Sequence, residues 1–149
     1  MKDIKQKLIK LFKQGYSTPQ IARIAKKIKE PSTTIHYNIK KLEKDGAIKA
    51  YNAVFDYDKI GIGYCTFVLI RLSPDEYGNP ERLSKELSKH DEIESIDIIT
   101  GDWEMILKVR TKDKDEYFNF MKNVISRKGV TKITTLTSLK QVKTEFVNL

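Results

Sequence analysis

Sulfur and imidazole ligands are scarce in this sequence, which contains one cysteine, Cys65, and two histidines, His36 and His90. A single cysteine excludes an intramolecular disulfide framework and a cysteine-based zinc site. Neither histidine has a second metal-binding residue at a suitable spacing, so the sequence predicts no metal site and no cofactor. Cys65 lies in the strand-like run GYCTFVLIRL, and we expect its thiol to be buried and unreactive.

Long hydrophobic runs are absent, since no stretch approaches the ~18 consecutive apolar residues of a membrane-spanning helix. The start of the chain, MKDIKQKLIKLFKQG, mixes charged and apolar residues and lacks the apolar centre of a secretory signal. We therefore expect a soluble, cytoplasmic protein. The sequence also has no glycine-rich phosphate loop, no nucleophile beside a base and no convincing pair of carboxylates, so we expect no enzyme.

Acidic residues are scarce in the first third of the chain. Residues 1–50 contain thirteen basic and four acidic residues, an excess of nine positive charges, whereas residues 51–149 contain fifteen basic and sixteen acidic residues. This asymmetry favours a polyanion-binding module joined to a nearly neutral domain. The alternative is a chance accumulation of lysine on solvated helices.

The first third predicts three short helices, because its apolar residues recur at helical spacing. The first covers residues 3–14 and ends at Gly15. The second begins within YSTPQIARIAKKIK, where Ser17 and Gln20 fit a capping box. The third runs from about Ser32 to Lys44, after the helix-disfavouring KEP sequence. Two helices joined by a tight turn are typical of a helix-turn-helix domain, which we assign to residues 1–50.

The outer face of the third helix is unusual for a helix that only needs solubility. When Ile35, Ile39 and Leu42 are turned inward, hydroxyl, aromatic and cationic side chains form a stripe on the outside. Such a helix fits the major groove, with its N-terminal residues near base edges and its lysines along the phosphates. The alternative is a merely solvated face. The predicted DNA-binding residues are Ser32, Thr33, Thr34, His36, Tyr37, Lys40, Lys41 and Lys44.

The rest of the chain predicts a second domain of mixed structure. Residues 51–62 read as a hinge strand or linker, and residues 63–149 alternate strand-type and helix-type patterns in the order β-α-β-β-α-β. We expect strands at 64–72, 93–100, 103–111 and 130–143, helices at 80–90 and 113–126, and a hairpin turn at the GD pair. This order predicts a ferredoxin-like sandwich, so the fold class is α+β with a winged-helix-like N-terminal domain.

Three blocks of the sequence resemble the Lrp/AsnC family of transcription regulators, also called feast/famine regulatory proteins. The blocks are STPQIARIAKKIKEPSTTIHYNIKKLEKDGAIKAYNAVFDYDKIG, TGDWEMILKV and GVTKITTLTSLKQVK. They match the family's two helices with the following strand, its glycine turn and its last strand. Each block alone is weak evidence for the family, but all three occur in the family's order and at its spacing. The resemblance therefore covers nearly the whole chain.

The resemblance implies a sequence-specific DNA-binding regulator with an effector-sensing and oligomerisation domain at residues 63–149. Family members dimerise through the C-terminal sheets, often assemble into octamers or filaments, and in many cases bind amino acids in clefts between C-terminal domains. An alternative is that the glycine turn and the threonines have only structural roles, with Trp103 in a core or an interface. Carried over by position, the effector residues are Thr100, Gly101, Asp102, Trp103, Glu104, Thr135, Thr137 and Ser138.

Two positions depart from the family pattern: Asn38 stands where arginine is common, and Glu104 stands where aspartate is usual.

Two rival functions remain open. Sirohaem decarboxylases share the architecture, but their chemistry should need histidine and arginine clusters, and this chain has two histidines. A small-molecule sensor without DNA activity is the other, against which the basic first third argues.

Overall fold

The computed structural model describes residues 2–14 and 17–143, and the chain divides into two compact units, Met1–Val54 and Phe55–Leu149. The first unit contains helices α1 (Lys2–Lys13), α2 (Ile21–Ile28) and α3 (Ser32–Lys44). The second contains, in order, β1 (Tyr64–Leu72), α4 (Pro80–Leu87), β2 (Ile93–Ile98), β3 (Met105–Thr111), α5 (Lys114–Phe120) and β4 (Val130–Thr137). The predicted α+β class, a helix-turn-helix unit followed by a ferredoxin-like βαββαβ unit, is confirmed.

The start of α2 differs from the sequence prediction. Gln20 precedes the helix with a backbone at φ −79° and ψ 84°, outside the helical region, and no side chain caps it. The predicted capping box with Ser17 is therefore wrong, because the helix begins later than the box requires. The predicted end of α1 at Gly15 lies outside the described residues.

The core of the first unit is small. Ala25 and Ile35 are buried, whereas Leu8 and Leu11 of α1 and Ile28 at the end of α2 stay 40 to 55% exposed in the single chain. Unit 1 is shorter than the size at which a domain readily buries its apolar faces, so three short helices leave part of those faces uncovered.

The turn between α2 and α3 holds Lys29 in the left-handed region, at φ 59° and ψ 40°. The backbone N–H of the next residue, Glu30, donates to the carbonyl of Ala25 at 3.1 Å, which closes the helix end. Glycine or asparagine normally occupies such a position, because a side chain with a Cβ is strained there.

Lys29→Gly is therefore expected to stabilise the first unit by roughly 0.5–1 kcal/mol, because relief of strain exceeds the added freedom of the unfolded chain. Lys27→Gly, on an exposed helical position of α2, is the control and should cost about 1 kcal/mol. Thermal unfolding followed by circular dichroism gives both values. Equal destabilisation by the two glycines would contradict the assigned strain.

The second unit is built on a four-stranded antiparallel sheet in the order β2-β3-β1-β4. Side chains alternate across β1, so that every second residue faces the two helices. That face contains the hydrophobic core, in which α4 packs against the edge strand β2 and α5 packs against the central strand β3. The buried core residues are Val68, Ile70, Leu72, Leu83, Leu87, Met105, Leu107, Val109, Tyr117, Phe120 and Ile125.

The other face of the sheet is not covered by α4 or α5, the helices of this unit. Phe67, Leu69 and Ile106 alternate with the core residues and stay half-buried, and Leu136 of the edge strand β4 is 52% exposed. We call this surface the open face. An antiparallel sheet with one apolar open face has a surface suited to a partner.

Several strands and one helix of the second unit are shorter than predicted. The hairpin occupies residues 99–104, so β2 ends at Ile98 and β3 begins at Met105. Strand β4 ends at Thr137 rather than at residue 143, because its neighbour β1 begins at Tyr64 and the last backbone hydrogen bond between them is made by Ser138. Helix α4 ends at Leu87 instead of residue 90.

Helix α5 continues as a π-helical turn, Met121–Ile125. Tyr117 and Phe120, three residues apart on the α-helical part, lie in the core. Phe118 is 56% exposed, and its ring lies 5.5 Å from the Nζ of Lys122.

The predicted hinge strand has no pairing partner in the described chain. Residues 47–56 form no ladder, and residues 57–61 form a turn. A strand needs a neighbour to satisfy the hydrogen bonds of its backbone, and the described chain supplies none here.

None of the helices in the described part of the chain has the length and apolar character needed to cross a membrane.

Candidate nucleic-acid interface and effector region

Helix α3 presents the predicted DNA-binding residues to solvent. It begins after Pro31, whose extended backbone (φ −61°, ψ 143°) stops the preceding turn, and it ends at Lys44, before Gly46 at φ +73°. Ile35 anchors the helix in the core of its unit. All eight predicted residues are exposed, with Tyr37 at 69%.

The inward face of α3 is narrower than predicted. Ile35 is buried and Ile39 is half-buried, but Leu42 is 45% exposed. Placing Leu42 inward was therefore wrong for the single chain, because the small unit has no element that covers the last turn of α3.

Lys40 makes an ion pair that the sequence did not reveal. Its Nζ lies 2.7 Å from Oε2 of Glu43, and Oε1 of Glu43 accepts a hydrogen bond from the Tyr51 hydroxyl at 3.0 Å. The hydrogen bonds from Lys40 and Tyr51 lower the pKa of the Glu43 carboxyl. Glu43 thus ties the end of α3 to the segment that follows it and partly neutralises one predicted phosphate contact.

Asn38 turns back along its own helix. Its side-chain amide donates to the carbonyl oxygen of Thr34, one turn earlier, at 2.8 Å. This hydrogen bond occupies a donor that an arginine at the same position would direct outward. The side chain at residue 38 is therefore engaged within α3 itself.

Glu43→Gln is expected to tighten binding to DNA of any sequence several-fold, because it removes a negative charge and releases Lys40 toward a phosphate. The dependence of log affinity on log salt should steepen by about 1 per subunit. Because its pKa is lowered, Glu43 stays ionised to a pH below the ordinary range of a glutamate, and acidification through that lowered pKa should release Lys40 in the same way. Asp45→Asn removes the same charge at the exposed end of α3 without touching Lys40 and is the control. Equal salt slopes for the two variants would contradict the role of the ion pair.

The hairpin turn is held by its backbone and by two charged side chains. Gly101 adopts φ +109°, a conformation that favours glycine. The carbonyl of Asp102 accepts two hydrogen bonds from Arg71, at 2.9 Å from Nε and 2.6 Å from Nη2. The carboxylate of Glu104 accepts from the backbone N–H of Leu72 at 2.7 Å. Glu104 therefore fastens the turn to β1, whereas the Asp102 side chain makes no hydrogen bond or ion pair with the described residues.

The predicted effector residues fall into two separate groups. Thr100, Gly101, Asp102, Trp103 and Glu104 surround the hairpin turn beside Leu72. Thr135, Thr137 and Ser138 lie farther along β4, and Thr137 pairs with Thr66. Thr135 and Thr137 pair with Val68 and Thr66, four and six residues from Leu72, so at about 3.3 Å per residue they lie roughly 13 and 20 Å along β1 from the turn. The single chain does not bring them together.

The hydroxyls on β4 already have partners. Thr135 shares a hydrogen bond with the hydroxyl of Tyr117, and Thr137 lies 3.4 Å from the hydroxyl of Tyr64. The backbone N–H of Ser138 donates to the carbonyl of Cys65 at 2.9 Å. Beside them the Thr66 hydroxyl is fully buried and has no partner within the described residues.

Trp103 is flanked by two cations that the sequence did not associate with it. Its ring centroid lies 5.4 Å from Cζ of Arg71 and 5.5 Å from Nζ of Lys132. Arg71 and Lys132 face each other as partners in the β1–β4 register. Strand alternation alone would have placed Arg71 on the open face, but the pairing with Lys132 depends on a register that no local pattern gives.

A second charged cluster lies at the other end of the open face. The guanidinium of Arg110, whose side chain is 4% exposed, pairs with Glu94, donates to Gln141 at 2.6 Å and stacks 3.6 Å from the ring centroid of Tyr57. Glu94 also accepts from Lys108 at 2.9 Å. We call this set the Arg110 cluster.

The cysteine lies against this cluster. Cys65 is 3% exposed, as predicted, and burial raises the pKa of its thiol. The side-chain amide of Gln141 lies 3.5 Å from its sulfur.

The two histidines have different surroundings. His36 is exposed on α3, and the His90 ring packs edge-on against Phe120, with ring centroids 5.7 Å apart. Within residues 2–14 and 17–143, no group of three or more histidine, cysteine, aspartate or glutamate side chains is arranged to hold a metal ion.

Known proteins with similar sequences are regulators. The chain is 33% identical over 138 residues to the HTH-type transcriptional regulator FL11 of Pyrococcus furiosus, with 93% of this chain and 89% of the relative covered. It is also 32% identical over 127 residues, 85% of each chain, to an uncharacterized HTH-type transcriptional regulator of Pyrococcus abyssi. Together with the basic helix-turn-helix unit, these relatives define the protein as a helix-turn-helix transcriptional regulator.

Family and structural matches narrow this class. Residues 65–147 match the Lrp/AsnC ligand binding domain. A crystal structure of an AsnC family transcriptional regulator from Agrobacterium tumefaciens aligns with a TM-score of 0.78 at 25% identity, covering 100% of this chain and 97% of that chain. The transcriptional regulator NMB0573 of Neisseria meningitidis, solved as an L-Met complex, shares the fold with a TM-score of 0.74 at 20% identity over 92% of this chain and 88% of that chain. The chain belongs to the Lrp/AsnC family.

Proposed function

We propose that the protein is a cytoplasmic homodimer that binds a palindromic operator through two copies of α3 and responds to an amino acid bound between C-terminal units. The observation that carries the DNA-binding part is the outer face of α3. Eight polar or cationic side chains are exposed there together, in a segment with nine excess positive charges. Hydroxyls such as that of Thr33 stand near the helix N-terminus, where base edges are read.

The open face supports the dimer. Phe67, Leu69, Ile106 and Leu136 form an apolar surface that a second copy can cover. A two-fold dimer would present two recognition helices to half-sites about one DNA turn apart, ~34–36 Å. The predicted effector residues, separated within one chain, would then meet across two copies.

An amino-acid effector is supported by chemistry and by the fold. The hairpin turn carries the exposed carboxylate of Asp102, which makes no ion pair with the described residues and suits the ammonium of an amino acid. A regulator of the same fold was solved as an L-Met complex. No observation favours the sirohaem-decarboxylase alternative, and the relatives are named as regulators.

A gel-shift assay with the gene's own promoter region tests the function. Wild-type protein should retain this DNA at low salt and prefer it over unrelated DNA at 0.15 M salt. Complete lack of retention at low salt would overturn the proposal.

Thr33→Ala should weaken binding to the promoter operator about tenfold and leave unrelated DNA unchanged, because one base contact is worth about 1–3 kcal/mol. Ser84→Ala, on α4 of the other unit, removes a hydroxyl without any expected effect. A uniform loss on both DNAs would assign Thr33 to the phosphates instead of the bases.

A further inference from the structure

The linker, residues 51–62, is fastened to the sheet of the second unit by Tyr57. The centroid of its ring lies 3.6 Å from Cζ of Arg110, well within the range of a cation–π contact. The guanidinium is fixed in its orientation, because Nε pairs with Glu94 of β2 and Nη2 donates to Gln141, beyond β4, at 2.6 Å. Three strands and the segment after β4 therefore determine where Tyr57 is held.

Tyr57 opens a turn, residues 57–61, that borders open space. The turn is closed by its own backbone, since the N–H of Ile62 donates to the carbonyl of Tyr57 at 3.0 Å. A cavity of about 520 Å³, whose lining includes Asp58 and Lys114, lies between the turn and the start of α5. The turn thus keeps its shape by itself and has room on one side, so its position on the sheet depends on the stack with Arg110.

The other end of the linker is fastened to α3. The Tyr51 hydroxyl donates to Oε1 of Glu43 at 3.0 Å. Six Cα–Cα steps separate Tyr51 from Tyr57, and they can span at most about 20–22 Å. Without the stack, the next residue fixed in the sheet is Tyr64 at the start of β1, and the limit rises to roughly 43–47 Å. The stack therefore shortens the tether of the DNA-binding unit about twofold.

We propose that the stack of Tyr57 on Arg110 sets the spacing of the two DNA-binding units in the dimer, which makes Tyr57 a positioning residue for operator recognition. This inference rests on the proposed binding of a palindromic operator by a homodimer. When one unit is bound, the effective concentration of the other at its half-site falls as the tether lengthens. A released linker should therefore tolerate a wrong half-site spacing and bind the right spacing less tightly.

Half-site spacing tests the stack in the full-length protein. Footprinting on the gene's own promoter region first locates the two half-sites. The DNA probes are this site, the same site with two base pairs inserted between the half-sites, and one half-site alone. The insertion moves the half-sites about 7 Å farther apart and rotates one of them by roughly 70° around the DNA axis. We expect the wild type to bind the inserted site about tenfold more weakly than the intact one, or weaker still.

Tyr57→Leu should bind the intact site about tenfold more weakly than the wild type, lose less than about threefold on the insertion, and keep its affinity for the single half-site. Tyr57→Phe should behave like the wild type, because the stack involves the ring and not the hydroxyl. Tyr77→Leu removes another ring of the same unit, at a position that is 51% exposed, and is the matched control. Circular dichroism of each variant checks its fold, and Tyr57→Gln provides a second variant with the same expected pattern.

The outcomes separate this inference from the regulatory function. Wild-type discrimination between the two spacings in Tyr57→Leu would overturn the role of the stack, and so would lost discrimination in Tyr57→Phe or Tyr77→Leu. A wild type that binds its promoter without two half-sites, or with no preference for their spacing, would also overturn the inference and leave the DNA-binding function standing. Absence of promoter binding at low salt would overturn both proposals.

Discussion

Replacing Lys41 and Lys44 together by alanine is expected to weaken binding to every DNA sequence, by roughly 100- to 1,000-fold at 0.15 M salt. Both side chains are exposed on α3, and neither pairs with a carboxylate of the described residues, whereas Lys40 is held by Glu43. In a dimer the change removes four phosphate contacts, so the slope of log affinity against log salt should fall by about 3.6.

The measurement is a fluorescence-anisotropy titration at several salt concentrations on operator and unrelated DNA. Lys128→Ala with Lys140→Ala removes the same net charge from exposed positions of the second unit and is the matched control. If the control pair lowered the slope as much as the Lys41 and Lys44 pair, general charge would explain binding, and the assignment of α3 as the recognition helix would lose its support.

Arg110→Met is expected to destabilise the second unit by about 3 kcal/mol, because breaking a buried ion pair from one side leaves unpaired polar groups. The guanidinium is almost completely buried and connects Glu94, Gln141 and the ring of Tyr57. For a unit of this size the midpoint of thermal unfolding should fall by roughly 12–24 °C.

Urea unfolding followed by Trp103 fluorescence gives the free energy of this unit. Lys108→Met is the matched control, since it removes a partner of the same Glu94 at a more exposed position. That variant should lose less than about 1 kcal/mol. Similar losses in the two variants would show that burial of Arg110 is not what makes its cluster important.

The elements of the fold were largely predictable because helices and strands leave local periodic patterns. Helix α3 was predicted at its observed bounds, since Pro31 and Gly46 mark its ends. Strand β1 was also predicted at its observed bounds, Tyr64–Leu72. The start of α2 and the end of β4 were not, because they depend on a nonhelical backbone at Gln20 and on where β1 stops offering partners.

The candidate sites were predictable in part. The helical spacing of apolar residues predicted the exposed face of α3. It could not show that Lys40 forms an ion pair with Glu43, or that Asn38 donates a hydrogen bond to Thr34. Whether the eight residues of α3 contact DNA, and whether the eight effector residues contact a ligand, stays a prediction. Trp103, first considered a core or interface residue, is a partly buried ring between two cations.

By itself, the sequence determined a basic helix-turn-helix unit followed by a βαββαβ unit, because charge and hydrophobic period are properties of neighbouring residues. Only the tertiary structure decided which charges are neutralised and which are left free. Arg110 forms an ion pair with Glu94, whereas Arg71 lies directly opposite Lys132 in the sheet. Those partners lie on different strands, so they are selected by sheet register and packing, which no stretch of neighbouring residues contains.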